Sequence, residues 1–113
     1  MKIRAILLAA TTLLIAVAAE AGPVRTERAA CELVKARVAA TGDFPLSRIA
    51  FCDVIPRESS PARYYVLALH SNRRCEGICS TNMGWFAVER ATGRVFEWNV
   101  AEDRLGLPVI AGP

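Results

Sequence analysis

The chain has 113 residues, of which 53% are hydrophobic, and a formal net charge of +3. Its basic side chains are spread along the sequence, and beyond residue 21 the sole adjacent pair is Arg73-Arg74. This spread predicts neither a nucleic-acid partner nor a membrane-binding cluster, because phosphate backbones and anionic lipid surfaces are bound by concentrated basic patches.

The first 21 residues have the layout of a secretory signal peptide. Lys2 and Arg4 precede an apolar run over residues 5–19, and Ala19-Glu20-Ala21 offers the small side chains that signal peptidase accepts. The run is short for a permanent membrane span, and an uncleaved anchor is the alternative interpretation. We therefore expect a periplasmic or secreted protein that has no stable membrane anchor after cleavage.

Cleavage after Ala21 would leave 92 residues, which suits a single small exported domain over residues 22–113 and is too few for two independent cores. That domain would carry 12 basic and 10 acidic side chains, a net charge of +2. With so small a net charge, a partner would be recognised through shape and local charge.

An N-terminal helix is predicted over residues 26–40. The segment contains good helix formers and ends just before Gly42, which suits a left-handed helix cap. The spacing of Cys31, Val34 and Val38, with Ala30 beside them, places these side chains on one inward face.

Four strands are predicted after the helix. The segments share β-branched and aromatic side chains and are bounded by turn residues; they are residues 48–55, 62–70, 83–89 and 95–100. Gly93 supplies the positive φ of a short hairpin between the last two. Residues 101–110 are interpreted as a short helical turn followed by an apolar tail. This order predicts an α+β domain with one N-terminal helix packed on a four-stranded antiparallel meander.

An even number of cysteines in a short exported chain predicts a disulfide framework. Of the three possible pairings, we favour Cys31 with Cys52, which would tie the helix to the first strand, and Cys75 with Cys79. The alternative is a metal site formed by His70, Cys75 and Cys79. It is disfavoured because exported thiols oxidise and no fourth ligand completes a zinc module, so we expect no metal and no other cofactor.

Enzymatic activity is not predicted. His70 is the one histidine of the chain, and Ser71 follows it, but adjacent residues of a strand point apart and no nucleophile elbow is present. Asp53 and Glu76 are the candidate acids, but no sequence motif places either of them beside His70.

Binding to a protein is the function that the residue types favour. Residues 71–82 form a polar loop, which a Cys75–Cys79 disulfide would pre-order and so lower the entropy lost on docking. The side chains expected to contact a partner are Tyr64, His70, Asn72, Arg73, Arg74 and Glu76. The simpler interpretation is a solvated loop held by a structural disulfide.

Two tryptophans, Trp85 and Trp98, also have two interpretations. A domain of this size needs large apolar side chains to close its core, so we assign both to the core first. The alternative is an exposed recognition surface, in which aromatic side chains are enriched.

The helix followed by a meander, and the hairpin over residues 84–98 with its Ala91-Thr92-Gly93 turn, resemble small periplasmic PepSY-like and β-lactamase-inhibitor-like proteins. This group includes periplasmic lysozyme inhibitors and immunity proteins of antibacterial secretion systems. The resemblance covers about residues 26–100 and includes no inhibitory motif. It implies a bacterial envelope protein that binds a peptidoglycan hydrolase without catalysis. The alternative is an accessory module that modulates a protease or assembles a complex.

Overall fold

One helix and five antiparallel strands make up the domain, seen in a computed structural model that describes residues 21–74, 77 and 80–110. The elements are α1 (Glu27–Ala40), β1 (Ile49–Val54), β2 (Tyr64–Ser71), β3 (Asn82–Glu89), β4 (Val95–Asn99) and β5 (Arg104–Pro108). Each strand pairs with the next in sequence, so the sheet order is β1-β2-β3-β4-β5. The predicted α+β class is confirmed.

Helix α1 begins and ends where the sequence predicts. The Thr26 side chain accepts a hydrogen bond from the Ala29 N–H at 3.0 Å, which satisfies one of the unpaired donors of the first turn. After the last turn Thr41 Oγ1 donates to the Val38 carbonyl, and Gly42 has a φ of 86°. The helix buries its apolar face through Ala30, Val34 and Val38.

The core lies between α1 and one face of the sheet. Because successive side chains of a strand point to opposite faces, alternate residues of the sheet meet the helix. On β2 these residues are Tyr65, Leu67 and Leu69, and Leu67 and Leu69 are fully buried. The opposite face, which carries no helix in the described residues, presents Phe51 and His70.

One disulfide, rather than two, is found in the described residues. It joins Cys31 of α1 to Cys52 of β1 and confirms that predicted pair. The second predicted pair, Cys75 with Cys79, lies outside the described residues, as do residues 1–20 of the predicted signal peptide. None of the helices in the described part has the length and apolar character needed to cross a bilayer.

The prediction of four strands is wrong, because residues 104–108 form β5 rather than part of an apolar tail. The chain reverses between Asn99 and Arg104, which pair with each other in the β4–β5 register. The Asn99 side-chain oxygen accepts the Glu102 N–H at 3.0 Å, and Asp103 has a φ of 50°. Asparagine and aspartate are the residues that stabilise such turns and tolerate left-handed backbone, so this segment makes a hairpin instead of a helical turn.

Both ends of the described domain lie at the β3–β4 hairpin. The Gly22 N–H donates to the Thr92 carbonyl at 3.0 Å, and the Val109 N–H donates to the Val95 carbonyl at 2.9 Å. Gly93 has the predicted positive φ, 73°, and a Cβ there would lie 2.7 Å from the Gly22 carbonyl oxygen. Glycine is therefore required at this position by both the turn and the packed segment.

Replacing Cys31 and Cys52 together by alanine should lower the free energy of unfolding by roughly 3 kcal/mol, because the oxidised pair restricts the unfolded chain. The two residues are 21 positions apart. Equilibrium urea unfolding of the oxidised protein and the double variant measures the difference. A loss below about 1 kcal/mol would show that the link contributes little.

Leu67→Ala should cost about 2–5 kcal/mol of unfolding free energy, because it leaves a cavity at the centre of the core. Leu107→Ala is the matched control, since the same atoms are removed from a residue that is 71% exposed. Its cost should stay within about 0.5 kcal/mol. Equal midpoints for the two variants in urea unfolding would contradict this assignment of the core.

Candidate functional site

A groove lies at the end of the sheet where β2 finishes and β3 begins. It has a volume of about 400 Å³ and is formed by the turn before β1, the end of β2 and the start of β3. We call it the arginine groove, and the residues that define it are Arg48, Ser71, Asn72, Arg73, Thr81 and Asn82.

Hydrogen bonds between distant segments fix the walls of the arginine groove. Asn72 donates its backbone N–H to the Arg48 carbonyl at 3.1 Å and its side-chain Nδ2 to the Ser47 carbonyl at 2.8 Å. The Ser71 N–H donates to the Thr81 carbonyl at 2.8 Å. The Asn72 side chain, expected to contact a partner, thus holds the turn that carries Arg48.

Arg48 and Arg73 line the groove, and no ion pair to either guanidinium group is found among the described residues. Arg48, Arg73 and the adjacent Arg74 are exposed, and the ion pairs Lys35–Glu32, Arg63–Glu89 and Arg104–Glu102 lie elsewhere in the described residues. Glu76, the acidic member of the predicted contact set, lies outside the described residues. This end of the domain therefore attracts anionic groups.

Sequence reasoning missed Arg48. It lies 24 positions before Asn72, and the two meet because β1 pairs antiparallel with β2, with Ile49 opposite Ser71. Only the register of that pairing brings Arg48 to the groove. In the sequence, Ile49, Phe51 and Ile55 alternate with the apolar or weakly polar Ala50, Cys52 and Val54, so the hydrophobic pattern does not define the register.

His70 lies beside the groove, where its ring is held by contacts with two neighbouring side chains. Its ring stacks on Phe51, with 4.6 Å between centroids and 7° between planes, and its Nδ1 lies 2.9 Å from Thr81 Oγ1. In the described residues no hydrogen bond joins His70 to Ser71 or to Asp53, and Asp53 pairs with Ala68 farther along β1. Among the described residues, no carboxylate contacts the His70 ring to orient it as a base.

The metal alternative involves residues outside the described ranges. Cys75 and Cys79, two of its three ligands, are not described. Among the residues that are, no group of three or more His, Cys, Asp or Glu side chains is placed to hold a metal ion.

Tyr64 is not brought together with the other predicted contact residues. It begins β2, whereas His70 lies six residues on, which corresponds to roughly 20 Å along an antiparallel strand. There Tyr64 packs edge-on against Phe96, with 6.5 Å between ring centroids. A partner that fills the arginine groove would contact Tyr64 only by extending along the whole sheet.

The two tryptophans line a second cleft instead of the core. The β3–β4 register runs from Val88↔Val95 to Phe86↔Glu97 and stops before Trp85 and Trp98. Both indoles are half-buried and lie outside the core cluster, so the first interpretation, as core side chains, is wrong. The cleft between the separating strands has a volume of about 420 Å³, and we call it the tryptophan cleft.

Local hydrogen bonding explains why the strands separate there. The Gly84 N–H donates to the Asn82 side-chain oxygen at 2.7 Å, and Gly84 has a φ of 129°, outside the range of regular strands. This end of β3 is therefore bonded to its own side chain, and its pairing with β4 does not continue.

No family model, curated protein or solved structure matches the chain. The resemblance to small periplasmic inhibitors therefore stays a prediction. The functional argument depends on the groove, the cleft and the chemistry of their side chains.

Asn72→Ala should lower the free energy of unfolding by about 1 kcal/mol, because the Ser47 carbonyl loses its side-chain donor. Arg73→Ala, at the neighbouring exposed position, should change it by less than about 0.5 kcal/mol. Thermal and urea unfolding measure both. If the two variants are equally stable, the amide does not hold the groove.

Proposed function

We propose that this chain is an exported, non-catalytic protein that binds and blocks a peptidoglycan hydrolase of the lysozyme type, as a periplasmic inhibitor or immunity protein. The observation that carries the proposal is the pair of exposed guanidinium groups of Arg48 and Arg73 in the lining of a groove at one end of the domain, with Arg74 next in sequence and no ion pair to any of the three among the described residues. Hydrolases that cleave glycosidic bonds use a pair of carboxyl groups in an open cleft.

Arginine suits such a target for geometric and electrostatic reasons. Its planar guanidinium is always charged and can donate two parallel hydrogen bonds to one carboxylate. An arginine that enters the hydrolase cleft would occupy the acid and the base together. Within the described part of the chain, Arg73 and Arg74 have no ion partner that docking would have to displace.

The anchored backbone around the groove also supports binding. The Ser71–Thr81 and Asn72–Arg48 hydrogen bonds join its walls across the sheet end. Surfaces that are ordered before association lose less conformational entropy when they dock. The residues next to Arg73 would therefore lose little conformational entropy when they bind a rigid partner.

The alternative is an accessory envelope module that modulates a protease or assembles a complex through a sheet edge. The open edge of β5 favours it, since no described strand pairs with that side of the sheet. Exposed edges can accept an added strand from another protein. Such a module would bind its partner without blocking a hydrolase active site.

The proposal is tested with the double variant Arg73→Ala/Arg74→Ala. The partner is first captured from envelope extract, and peptidoglycan lysis by the captured hydrolase is then titrated with the protein. We expect stoichiometric inhibition by the unchanged protein and at least tenfold weaker binding by the double variant, because central arginine anchors are worth more than about 1 kcal/mol.

The matched control is Arg25→Ala/Arg57→Ala, which removes the same charge from exposed positions outside the groove. It should inhibit as the unchanged protein does. Equal weakening by both double variants would point to net charge rather than the groove, and capture of a hydrolase that stays fully active would favour the accessory module.

A further inference from the structure

A further groove adjoins the arginine groove on the side of the sheet that carries the helix. It has a volume of about 430 Å³ and lies between the end of α1, strand β4 and the chain after β5, where Val38, Glu97 and Val109 line it. Phe44 and Met83 line this groove and the arginine groove alike. The two grooves therefore form one continuous surface, which we call the two-sided surface, with Phe44 and Met83 between its halves.

The halves of the two-sided surface carry opposite charges. Arg48 and Arg73 line one half and form its basic flank, while Asp43 and Glu97 are the charged side chains in the described lining of the other half and form its acidic flank. All of these residues are exposed. No ion pair or side-chain hydrogen bond of theirs is found among the described residues, so each charge is available to a partner.

The order of the strands keeps the flanks apart. Arg48 directly precedes β1 and Arg73 follows β2, whereas Glu97 lies on β4, and Met83 lies between them on the central strand β3. Arg48 and Glu97 are thus separated by three strand spacings, roughly 14 Å across the sheet. This exceeds the Debye length of about 8 Å at physiological ionic strength, so the flanks do not neutralise each other within one chain.

The middle of the two-sided surface is apolar. Phe44 is 42% exposed, Ile110 beyond β5 is 63% exposed, and Met83 is half-buried. These side chains line the groove of the acidic flank, and two of them also line the arginine groove. Apolar side chains surrounded by charged ones are typical of surfaces at which proteins associate, because the centre loses its water while the charges set the orientation.

We propose that the two-sided surface binds a second copy of this chain about a two-fold axis that passes beside Phe44 and Met83. In a two-fold contact, residue i of one copy meets residue j of the other, and j meets i. The rotation therefore places the basic flank of each copy against the acidic flank of the other, with the apolar side chains of both copies at the centre. Arginine can donate two parallel hydrogen bonds to each facing carboxylate.

Charge complementarity favours a second copy over other occupants. A nucleic acid or an acidic peptide would meet the carboxylates of Asp43 and Glu97, and a basic peptide would meet the arginines; each juxtaposition of like charges is repulsive. The best occupant carries both signs in the matching order on either side of an apolar centre. Another copy of the chain carries that order at the matching spacing.

Self-association would also regulate the arginine groove, because Arg48 and Arg73 would contact the second copy instead of a hydrolase. The dimer is then a storage form, and dilution exposes the groove. This consequence rests on the proposed function, whereas the association itself does not depend on any hydrolase.

The experiment measures the mass of the purified, oxidised protein by sedimentation equilibrium from low to high micromolar concentration, with no hydrolase present. We expect a reversible equilibrium between monomer and dimer that weakens as salt is added, because the charges of both flanks are exposed and screened by ions.

Two variants each reverse one flank, Arg48→Glu/Arg73→Glu and Asp43→Arg/Glu97→Arg. Each should dimerise at least tenfold more weakly on its own, because like charges then face each other across the axis. An equimolar mixture of the two should regain a dimer at least as tight as that of the unchanged protein. In the mixture, one copy carries acids on both flanks and the other carries arginines on both.

The control for net charge is Arg25→Glu/Arg57→Glu, which makes the same charge change at exposed positions outside both grooves. It should dimerise as the unchanged protein does. Phe44→Ala should weaken the dimer, whereas Phe51→Ala, at a position that is 53% exposed and outside both grooves, should not. This second pair decides the matter even if a charge-reversed variant does not fold.

A monomeric mass at every concentration would overturn the proposal, and so would equal weakening by Arg25→Glu/Arg57→Glu and the flank variants. A mass that keeps growing with concentration would also overturn it, because that is the behaviour of an open, head-to-tail contact. Failure of the proposed function is seen separately, in the lysis assay, and would leave a dimer measured here unchanged.

Discussion

The covalent bond between Cys31 and Cys52 is the constraint on which both the packing of the helix and the shape of the arginine groove depend. Helix α1 buries Ala30, Val34 and Val38, all small side chains, so its packing alone removes little apolar area from water. A disulfide of this span contributes roughly 3 kcal/mol, against a total stability of about 5–15 kcal/mol for a typical domain. By holding β1 to the helix, the bond also fixes the turn at Arg48 that receives the Asn72 hydrogen bonds.

The arginine groove and the tryptophan cleft differ in their lining residues and share Met83. The arginine groove forms because the end of β2, the start of β3 and the turn before β1 are hydrogen-bonded together. The tryptophan cleft forms because Gly84 bonds to Asn82 and the pairing of β3 with β4 stops. The arginine groove is lined by Arg48 and Arg73 together with Phe44, whereas the tryptophan cleft is lined by two indoles, with Glu97 as the one charged side chain of its described lining.

Features with local signals were predictable from the sequence, and features set by distant pairing were not. The helix face, the left-handed Gly42, the Gly93 hairpin and the Cys31–Cys52 bond each follow from residues that lie close together or from the chemistry of exported thiols. The fifth strand was missed because Asn99 and Asp103 encode a turn whose side-chain hydrogen bond is not visible as a hydrophobic pattern.

The candidate site was predictable only in part. His70, Asn72 and Arg73 lie together because they are neighbours in sequence, whereas Tyr64 lies at the other end of the same strand. Arg48 joins them through the β1–β2 register. That register could not be inferred from the sequence, because both faces of β1 carry apolar side chains. The exposure of Trp85 and Trp98 depends on where a ladder of backbone hydrogen bonds ends, and residue composition does not encode that point.

The two ends of the described domain meet at the β3–β4 hairpin, through Gly22 at Thr92 and Val109 at Val95. The eight residues of β3 separate this hairpin from the arginine groove by about 25 Å, whereas the tryptophan cleft extends much closer to it, through Phe86, Glu97 and Leu107. A tether, a fused neighbour or a solid support attached at either end would thus leave the arginine groove unobstructed. The same proximity means that a short bridging peptide could join the ends, so the domain is suited to circular permutation or to insertion into a loop of a larger polypeptide.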